Sequence, residues 1–334
     1  MTNPHVSLGA SGPSVYPIAL GCMGMGAGSW YGAADDAEGI ATIHAALERG
    51  VNVLDTGDFY GMGKNELLVG RALQGRRDQV LLSVKYGALR GPDGAILGFD
   101  SSPVATKCAI AYSLSRLGVD HIDIYRPSRL DPKVPIEDTI GAIAELVKAG
   151  YVRYIGLSEV GADTLRRAAK VHPICDVQLE YSLISRGPEA SIVPALAELG
   201  VAMTAYGVLS RGLLVGSRAT AANDHRARMP RFAGANGEHN QALAAALARI
   251  AAHKGVTAAQ LAIAWVRAKA AARRVTIVPT IGARTPKQIA DALDSLAVTL
   301  SAAEVAELEA AVPADKVAGT RYPAPMMATL DSER

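Results

Sequence analysis

Cysteine is scarce in this sequence: Cys22, Cys108 and Cys175 are the only ones in 334 residues. Because they are odd in number and far apart, they predict neither a disulfide framework nor a thiolate metal site. The histidines show no i, i+4 pairing that would place two metal ligands on one helix face. We therefore expect a protein without a bound metal and with reduced cysteines, as is typical of the cytoplasm.

Long apolar runs, a signal-like N-terminus and dense basic blocks are also missing. No uninterrupted apolar stretch is long enough to cross a bilayer, and residues 1–15 lack the charged-then-apolar order of a signal peptide. The net charge is only +2. One loose basic run, Arg226, Arg228 and Arg231, is either a solvated loop or a phosphate contact. These absences argue against nucleic-acid and membrane partners.

What the sequence does contain is a recurring pattern of a short β-branched run, a polar or glycine-rich turn and an amphipathic stretch. The apolar runs predict strands at 18–23, 51–55, 80–85, 121–125, 152–158, 176–181, 201–206 and 275–279. The amphipathic stretches predict helices at 36–49, 64–73, 103–117, 136–149, 161–171, 190–199, 257–271 and 286–297. Four of these helices are followed by a glycine that can end them: Gly50, Gly118, Gly150 and Gly200.

Strands that alternate with helices predict βαβ units and a parallel sheet. Eight such units over this length favour one closed (β/α)8 barrel spanning residues 1–334. A doubly wound sheet fits less well because "GCMGMG" has the wrong spacing for a GxGxxG motif. Residues 6–15 are predicted to form a hairpin that closes the barrel's bottom. The long stretches 207–238 and 312–334 are predicted to be a cofactor or substrate loop and a C-terminal tail.

Polar side chains end several predicted strands, and the βα turns of a barrel gather at its C-terminal mouth. Asp55 ends the second strand, Lys85 ends the third, and Tyr60 lies in a glycine-flanked loop just after Asp55. A buried lysine is costly unless it is paired, so Asp55 is the natural partner of Lys85. Taken alone, the pair is as consistent with a structural role as with a catalytic one.

Tyr60 favours the catalytic interpretation. A free phenol has a pKa near 10, which is too high for easy proton exchange at neutral pH. An ammonium group beside the phenol would stabilise the phenolate and lower that pKa. We therefore predict that Lys85, oriented by Asp55, makes Tyr60 a general acid toward a carbonyl oxygen.

Several segments together resemble one family: "LDTGDFYG", Lys85 at its strand end, "GYVRYIGLSE", "QLEYSL", "YGVLSRGLL" and "VPTIGARTPKQI". In this order they are similar to the aldo-keto reductase superfamily, and most of all to its long-loop branch that contains "GCMGM". The resemblance runs from about residue 6 to residue 311. It implies an NADPH-dependent oxidoreductase that interconverts an aldehyde or ketone with its alcohol. Asp55, Tyr60 and Lys85 then take the places of the family's catalytic Asp, Tyr and Lys.

The resemblance also assigns residues to the cofactor, NADPH or NADP+. Ser158 and Gln178 match the groups that hold the nicotinamide carboxamide, and Tyr206 matches the ring that stacks on the nicotinamide. Arg284, together with Gln288, matches the clamp on the adenosine 2′-phosphate, which favours NADPH over NADH. The remaining cofactor contacts that it assigns are Cys22, Met23, Gly207, Val208, Leu209, Arg211, Gly282 and Asp291, the last of these near the adenine.

The main departure from the family is at the end of the fourth strand. The family's catalytic His, commonly within a Q-H-R-x-D run, is replaced by Ser128 in "PSRLD". His121 precedes it by roughly 23 Å of extended chain, at about 3.3 Å per residue, and so should lie at the other end of the barrel. His225 and His239, on or beside the long loop, are alternative donors. A second departure is Glu159, where the family usually has Asn.

Ser128 leaves three functional interpretations open. A serine hydroxyl donates one hydrogen bond and carries no charge, and the loss of one preorganised donor can cost about a hundredfold in rate. The protein is then a competent enzyme for a bulkier substrate, a slow reductase, or an NADPH-binding regulatory or sensing protein with little turnover. Ser128 itself is either a substrate contact or a spacer.

The predicted substrate pocket is aromatic. Trp30 and Tyr31 follow the first strand and Phe59 precedes Tyr60, so all three should lie at the mouth, together with residues 87–100 and the tail. Such walls favour an apolar or ring-bearing carbonyl compound. Trp30 is either a pocket wall or a loop anchor, whereas Trp265 in "LAIAWVRA" is predicted to be helix core.

Overall fold

A computed structural model of the protein describes residues 5–26, 29–219 and 224–334. Within them, eight parallel strands form a closed barrel and follow one another around it in chain order. Their bounds are Ala19–Gly21, Val53–Gly57, Leu81–Tyr86, Ile122–Pro127, Val152–Ser158, Ile174–Glu180, Ala202–Tyr206 and Ile277–Gly282. The predicted (β/α)8 barrel is thus confirmed, and each strand lies close to its predicted position.

Helices cover the outside of the barrel. They are Asp36–Glu48, Lys64–Ala72, Pro103–Leu117, Ile136–Lys148, Ala162–Ala169, Ile192–Leu199, Gly234–His253, Ala258–Arg273, Pro286–Asp294, Ala302–Ala311 and the short Ala324–Met327. The predicted helix 286–297 ends at Asp294 and continues as a 3-10 turn, Ser295–Ala297. Gly118 and Gly200 end their helices at φ 67° and 65°, a left-handed conformation that glycine adopts without strain.

Two long helices were not predicted. Helix Gly234–His253 begins inside the stretch 207–238 that was predicted as a loop, and helix Ala302–Ala311 precedes the tail. The first has glycine at its start and no side-chain hydrogen bond from its N-cap, Ala233, so the usual start signals are missing. Its alanine-rich sequence also gives only a weak apolar stripe. A rim hairpin, Ala88–Arg90 with Ile96–Phe99, was likewise not predicted within 87–100.

The N-terminal hairpin closes the bottom of the barrel, as predicted. Strand Val6–Ser7 pairs antiparallel with Ser14–Val15. Leu8 and Val15 are fully buried, in one apolar cluster with residues from the first halves of several barrel strands. The Ala10 backbone N–H donates to Gly200 O at 2.7 Å, just before the seventh strand. The hairpin therefore seals the end opposite the mouth.

The fourth strand extends further than predicted, to Pro127 rather than 125. Arg126 is therefore part of the strand and is fully buried. The register pairs Arg126 with Lys85, and Ser83 with Asp55. Because directly paired residues project to the same side of a sheet, these polar side chains share the barrel interior.

Across the part of the chain that the structure describes, no helix is long and apolar enough to cross a membrane. No group of three or more His, Cys, Asp or Glu side chains within those same ranges could hold a metal ion. Cys22 and Cys175 are buried free thiols, and Cys108 is an exposed one.

Candidate active site

An ion pair between Lys85 and Asp55 lies at the centre of the candidate site, with only 7% and 8% of the two side chains exposed. Asp55 Oδ1 accepts from the Lys85 ammonium, and Oδ2 accepts from Ser83 Oγ and Gln178 Nε2, each at 2.8 Å. Burial alone would raise the pKa of Asp55, but the Lys85 and Arg126 cations hold it below its usual value. The carboxylate is therefore ionised and fixed from three sides.

Lys85 faces both the carboxylate and a phenol. Its Nζ atom lies 5.4 Å from the centroid of the Tyr60 ring. Burial lowers the pKa of Lys85, against the attraction of Asp55, and the Arg126 guanidinium lowers it further. The structure thus brings Asp55, Lys85 and Tyr60 together, and their catalytic roles stay a prediction.

The loop after the second strand fixes Tyr60. This residue begins a 3-10 turn, and the three residues 61–63 that follow it all have positive φ. Asn65 ties the turn to the barrel, because its amide donates to Cys22 O at 2.8 Å and accepts from Thr56 Oγ1 at 2.7 Å. Glycine at two of the three positive-φ positions makes this sharp turn accessible.

The predicted lowering of the Tyr60 pKa is wrong for this structure. Burial raises the pKa of Tyr60 well above its usual value, and the Asp55 carboxylate raises it further, while Arg129 lowers it in part. The physical reason is that the phenol is only 6% exposed and that Asp55 balances the Lys85 charge. Tyr60 is therefore a protonated phenol at neutral pH.

Ser128 follows the fourth strand and is buried, with 2% of its surface exposed. Its backbone N–H donates to Tyr86 O at 2.8 Å, and its carbonyl accepts from the Arg129 guanidinium at 2.6 Å. Its hydroxyl is buried and has no hydrogen-bond partner within the described ranges. Ser128 is thus not the point where the strand reaches water.

Buried hydroxyls without a partner recur near the ends of several barrel strands. Over residues 5–26, 29–219 and 224–334 they include Ser128, Ser158, Ser210 and Thr280. Buried polar groups are nearly always hydrogen-bonded, so such a set suits a polar ligand at the mouth. Gln178 donates one amide N–H to Asp55, which leaves its second N–H and its amide oxygen, so its contact with the nicotinamide stays a prediction.

Glu159 anchors the C-terminal tail to the mouth. It is fully buried, at φ 53°, and its carboxylate accepts from both Arg321 nitrogens, at 3.1 and 2.8 Å. Ser332 in the tail also donates to it, and Tyr206 Oη donates at 2.7 Å. Tyr206 Oη lies 3.0 Å from Tyr322 Oη, so the ring assigned to the nicotinamide is held by its hydroxyl end.

The turn after the seventh strand is tight and ionic. Gly207 has φ 65°, and a Cβ there would lie 3.0 Å from Glu180 Cγ. Arg211, at φ 56°, donates to Glu180 Oε2 at 3.0 Å. Val208 is buried, and Leu209 packs against the core. The backbone from Gly207 to Arg211 is therefore fixed by its contacts with Glu180, at the place where a backbone contact with the cofactor was predicted.

The loose basic run is mostly ion-paired. Arg226 pairs with Asp224 at 2.6 Å, and Arg231 lies 3.4 Å from Glu180 and is 8% exposed. Arg228 is exposed. The solvated-loop interpretation is therefore wrong for Arg226 and Arg231: Arg226 bonds within the long loop, and Arg231 holds the loop to Glu180 and Ser185.

Arg284 follows the eighth strand, which ends at the exposed Gly282. Its guanidinium donates to Tyr31 O at 3.1 Å and to Ala33 O, and its backbone N–H donates to Gln288 Oε1 at 2.8 Å. No carboxylate within the described ranges is ion-paired with Arg284. The group predicted to clamp a phosphate therefore carries an uncompensated charge beside a helix N-terminus.

Three further residues that were assigned to the cofactor have contacts with other parts of the protein: Asp291, Cys22 and Met23. The Asp291 carboxylate accepts from Thr257 Oγ1 at 3.1 Å and from Gln260 Nε2 at 2.9 Å, so it joins two helices. Cys22 is buried and donates its backbone N–H to Asp55 O at 2.8 Å, while Met23 is half-buried beside it. Burial raises the pKa of the Cys22 thiol, which is therefore not a thiolate.

Trp30 is the central residue in a group of aromatic rings beside Tyr60. Its ring lies 6.3 Å from the Tyr60 ring and 6.4 Å from Phe59, which itself packs edge-on against Tyr60 at 4.7 Å. His225 lies 5.1 Å from the Trp30 ring, and the Arg90 guanidinium lies 5.1 Å from its centroid. Sequence analysis did not identify Arg90, because the rim hairpin that carries it was not predicted.

The long loop within 207–238 contacts the loop after the first strand at Tyr31. Tyr31 forms an isolated antiparallel bridge with Asp224, and the next backbone N–H, that of His225, donates to Trp30 O at 2.9 Å. Burial and the Arg211 charge lower the pKa of His225 to about 4, so its ring is neutral at pH 7. His239, the other alternative donor, contacts Lys316 O at 2.7 Å from helix Gly234–His253.

Comparison with known proteins identifies the family. The sequence model of the Aldo/keto reductase family matches residues 17–313, most of the chain. The chain belongs to this family. Aldo/keto reductases typically use NAD(P)H, and the relatives of this chain include oxidoreductases.

Named relatives agree with this aldo/keto reductase assignment. "Probable aldo-keto reductase 1" of Glycine max is 39% identical over 323 residues, which are 95% of this chain and 91% of that protein. The structure of a glycerol dehydrogenase from Gluconobacter oxydans is 28% identical and superposes with a TM-score of 0.80, over 94% of this chain and 97% of that one. A Bacillus halodurans aldo-keto reductase, solved in its holo form, is 27% identical with a TM-score of 0.74, over 93% and 96%.

Proposed function

We propose that this aldo/keto reductase interconverts an aldehyde or ketone with its alcohol and uses NADPH or NADP+, with Tyr60 as the proton donor. The observation that carries the proposal is the buried Asp55–Lys85 ion pair, whose ammonium lies 5.4 Å from the Tyr60 ring. Family membership supports oxidoreductase chemistry, and the mouth of a (β/α)8 barrel is where such enzymes keep their reacting groups.

The residues present fit a nicotinamide dinucleotide. The unpartnered Ser158 hydroxyl and the Tyr206 ring would hold the nicotinamide end. The fixed turn from Gly207 to Arg211 would carry the pyrophosphate, and Arg284 would bind the 2′-phosphate. When bound, the reduced cofactor supplies the hydride.

Tyr60 supplies the proton in the reduction direction. Its raised pKa keeps the phenol protonated at neutral pH, which is the form that can donate to a carbonyl oxygen. As the proton leaves, the phenolate gains from the Lys85 ammonium, which Asp55 holds in place. In the alcohol-oxidising direction the same phenolate would take the proton back.

The substrate pocket that we propose is bounded by Trp30, Phe59 and Tyr31. Trp30 and Phe59 both pack against Tyr60, so a substrate carbonyl that reaches the phenol must pass these rings. The buried, unpartnered Ser128 hydroxyl lies at the end of the fourth strand, where it can donate one hydrogen bond to the substrate. An apolar or ring-bearing carbonyl compound suits these walls.

The test is a panel of aldehydes, ketones and alcohols assayed in both directions with NADPH or NADP+, with NADH and NAD+ as controls. Tyr60→Phe should abolish turnover while leaving cofactor binding intact, because only the hydroxyl is removed. Tyr112→Phe, at a 61% exposed tyrosine, is the matched control and should behave as the wild type. Full activity in Tyr60→Phe would overturn the proposal. Tight NADPH binding without turnover on the whole panel would identify a cofactor-binding regulatory protein instead.

A further inference from the structure

We propose that Arg126 is a positioning residue for the reaction, one that orients the Asp55–Lys85 pair through the hydroxyl of Ser83 and is itself held by Asp176. The inference rests on the proposed function. It assigns a role to a buried group inside the barrel that lies just past the predicted end, residue 125, of the fourth strand.

Arg126 donates hydrogen bonds to four other strands inside the barrel, the longest of them to Leu157 O at 3.4 Å. One terminal nitrogen donates to Asp176 Oδ2 at 2.8 Å and to Thr204 Oγ1 at 3.3 Å. The other donates to Ser83 Oγ at 3.1 Å, and Ser83 Oγ lies 2.8 Å from Asp55 Oδ2. A chain of two hydrogen bonds therefore joins the guanidinium to the carboxylate that holds Lys85.

The chemistry of the donors fixes the direction of this chain. A guanidinium has only donors, so Ser83 must accept from Arg126 with its oxygen. A serine hydroxyl has a single hydrogen, and the remaining partner of Ser83 is Asp55, which as a carboxylate can only accept. Arg126 therefore aims the Ser83 hydrogen at Asp55. Without the guanidinium, that hydroxyl would be free to rotate away.

The fold makes room for a fully buried ion pair at this position. The Arg126–Asp176 pair is the only ion pair within the described ranges in which both side chains are fully buried. A Cβ at Gly156 would lie 3.0 Å from Arg126 Cζ and 2.7 Å from Asp176 Oδ1, so glycine clears the space. Because apolar residues of similar volume often replace a buried ion pair without loss of stability, the pair points to another role.

The groups around Asp55 and Lys85 that carry charge or can titrate allow the electrostatic effect of Arg126 to be separated from its role in packing. From the neighbouring strands these groups are Arg126, Asp176 and Cys175, with Cys22, Arg129 and Tyr60 on the mouth side. The Arg126 charge lowers the pKa of both Asp55 and Lys85. Removing the Arg126 charge should therefore raise both pKa values. The high-pH limb of the plot of kcat against pH should then move to higher pH.

Two variants divide the proposal into its parts. The double substitution Arg126→Met with Asp176→Leu removes the pair without leaving a lone buried charge. Ser83→Ala keeps every charge and breaks only the relay to Asp55. We expect each to lower kcat by roughly tenfold or more, as the loss of a hydrogen bond to a charged group does. Only the double variant should also move the high-pH limb.

Two further variants are controls. Ser295→Ala removes the hydroxyl of another fully buried serine, which donates to Ala292 O at 2.5 Å and has no link to Asp55. It should leave kcat and the pH profile unchanged. Arg126→Lys restores a cationic donor and should recover part of the lost rate.

The outcomes are distinguishable from failure of the proposed function. An active wild type and an inactive Tyr60→Phe variant, together with unchanged kcat and pH profile in both Ser83→Ala and the double variant, would overturn the positioning role alone. A wild type with no turnover on any carbonyl compound or alcohol would overturn both proposals. If the double variant does not fold, Ser83→Ala decides alone: a kcat equal to that of the wild type would overturn the positioning role.

Discussion

Glu159 and Arg321, 162 positions apart in the chain, are joined by two hydrogen bonds of 3.1 and 2.8 Å. The pair lies beneath Tyr206, whose hydroxyl donates to the same carboxylate at 2.7 Å. Arg321 also lies 3.5 Å from Glu180, the partner of Arg211 in the turn after the seventh strand. One arginine of the tail thus contacts two buried carboxylates, Glu159 just after the fifth strand and Glu180 at the end of the sixth.

We predict that Arg321→Met destabilises the protein by about 3–5 kcal/mol, because it leaves the buried Glu159 carboxylate without an ion-pair partner within the described ranges. The free energy of unfolding in urea measures the loss. Arg273→Met is the matched control, since Arg273 is 42% exposed in its pair with Glu189 and should cost less than about 1 kcal/mol. Equal losses in the two variants would contradict the anchoring role of Arg321.

The pH dependence of stability should report on Glu159. Although burial would raise its pKa, Arg321 and its hydrogen bonds lower the pKa of Glu159 from 4.5 to about 2. A carboxyl with a depressed folded-state pKa stabilises the fold above its unfolded value and loses that contribution as pH falls toward the folded value. We expect Glu159→Gln to be less stable than the wild type at pH 7, with the difference shrinking between about pH 4.5 and pH 2.

The measurement is the free energy of unfolding of both proteins across that pH range. Glu238→Gln, on the exposed side of helix Gly234–His253, is the control and should follow the wild type throughout. A constant difference between the wild type and Glu159→Gln down to pH 2 would show that its carboxylate contributes no linked stability.

Ser128 should matter for turnover rather than for folding. Its buried hydroxyl has no hydrogen-bond partner within the described ranges, so Ser128→Ala removes no hydrogen bond that stabilises the fold there. We expect unchanged or slightly higher stability, and a kcat/KM lowered by about tenfold on the preferred substrate. Thermal unfolding and steady-state kinetics check the two parts. Normal kcat/KM would make Ser128 a spacer.

Replacing Ser128 with histidine tests the same position by adding a larger side chain. An imidazole is larger than the hydroxymethyl group at a site that is 2% exposed, so it must fill space that the substrate would otherwise use. We expect Ser128→His to lose activity on the preferred substrate and to gain on small aldehydes. A loss on both would mean that the fold cannot accommodate the ring.

Sequence periodicity was enough to predict the barrel, because strand and helix patterns alternate with regular glycine stops. It also brought Asp55, Tyr60 and Lys85 together, since strand ends of a barrel meet at one mouth. It did not predict Arg126 as buried, because a polar residue near a strand end looks the same whether it faces water or an interior partner fifty positions away. Partners such as Asp176 become visible only when the strands are in register.

The contacts of the C-terminal tail and the rim hairpin could not be predicted from the sequence for similar reasons. Nothing in the local sequence links Arg321 to Glu159, and the rim hairpin that carries Arg90 joins two short strands with a register shift. The sign of the Tyr60 pKa shift also needed coordinates. It depends on how completely the phenol is buried and on how far Asp55 cancels the Lys85 charge.

Arg284 should distinguish the two nicotinamide dinucleotides. Its guanidinium is bound to the carbonyls of Tyr31 and Ala33 and has no ion-paired carboxylate within the described ranges, so a phosphate can take its remaining donors. We predict that Arg284→Met raises KM for NADPH by about ten- to a hundredfold, the effect of losing one charged hydrogen-bonded contact, and leaves KM for NADH nearly unchanged. Arg274→Met, at the end of helix Ala258–Arg273, is the control. Equal increases for both cofactors would instead mean that Arg284 acts by holding the first loop, and the preference for NADPH would need another source.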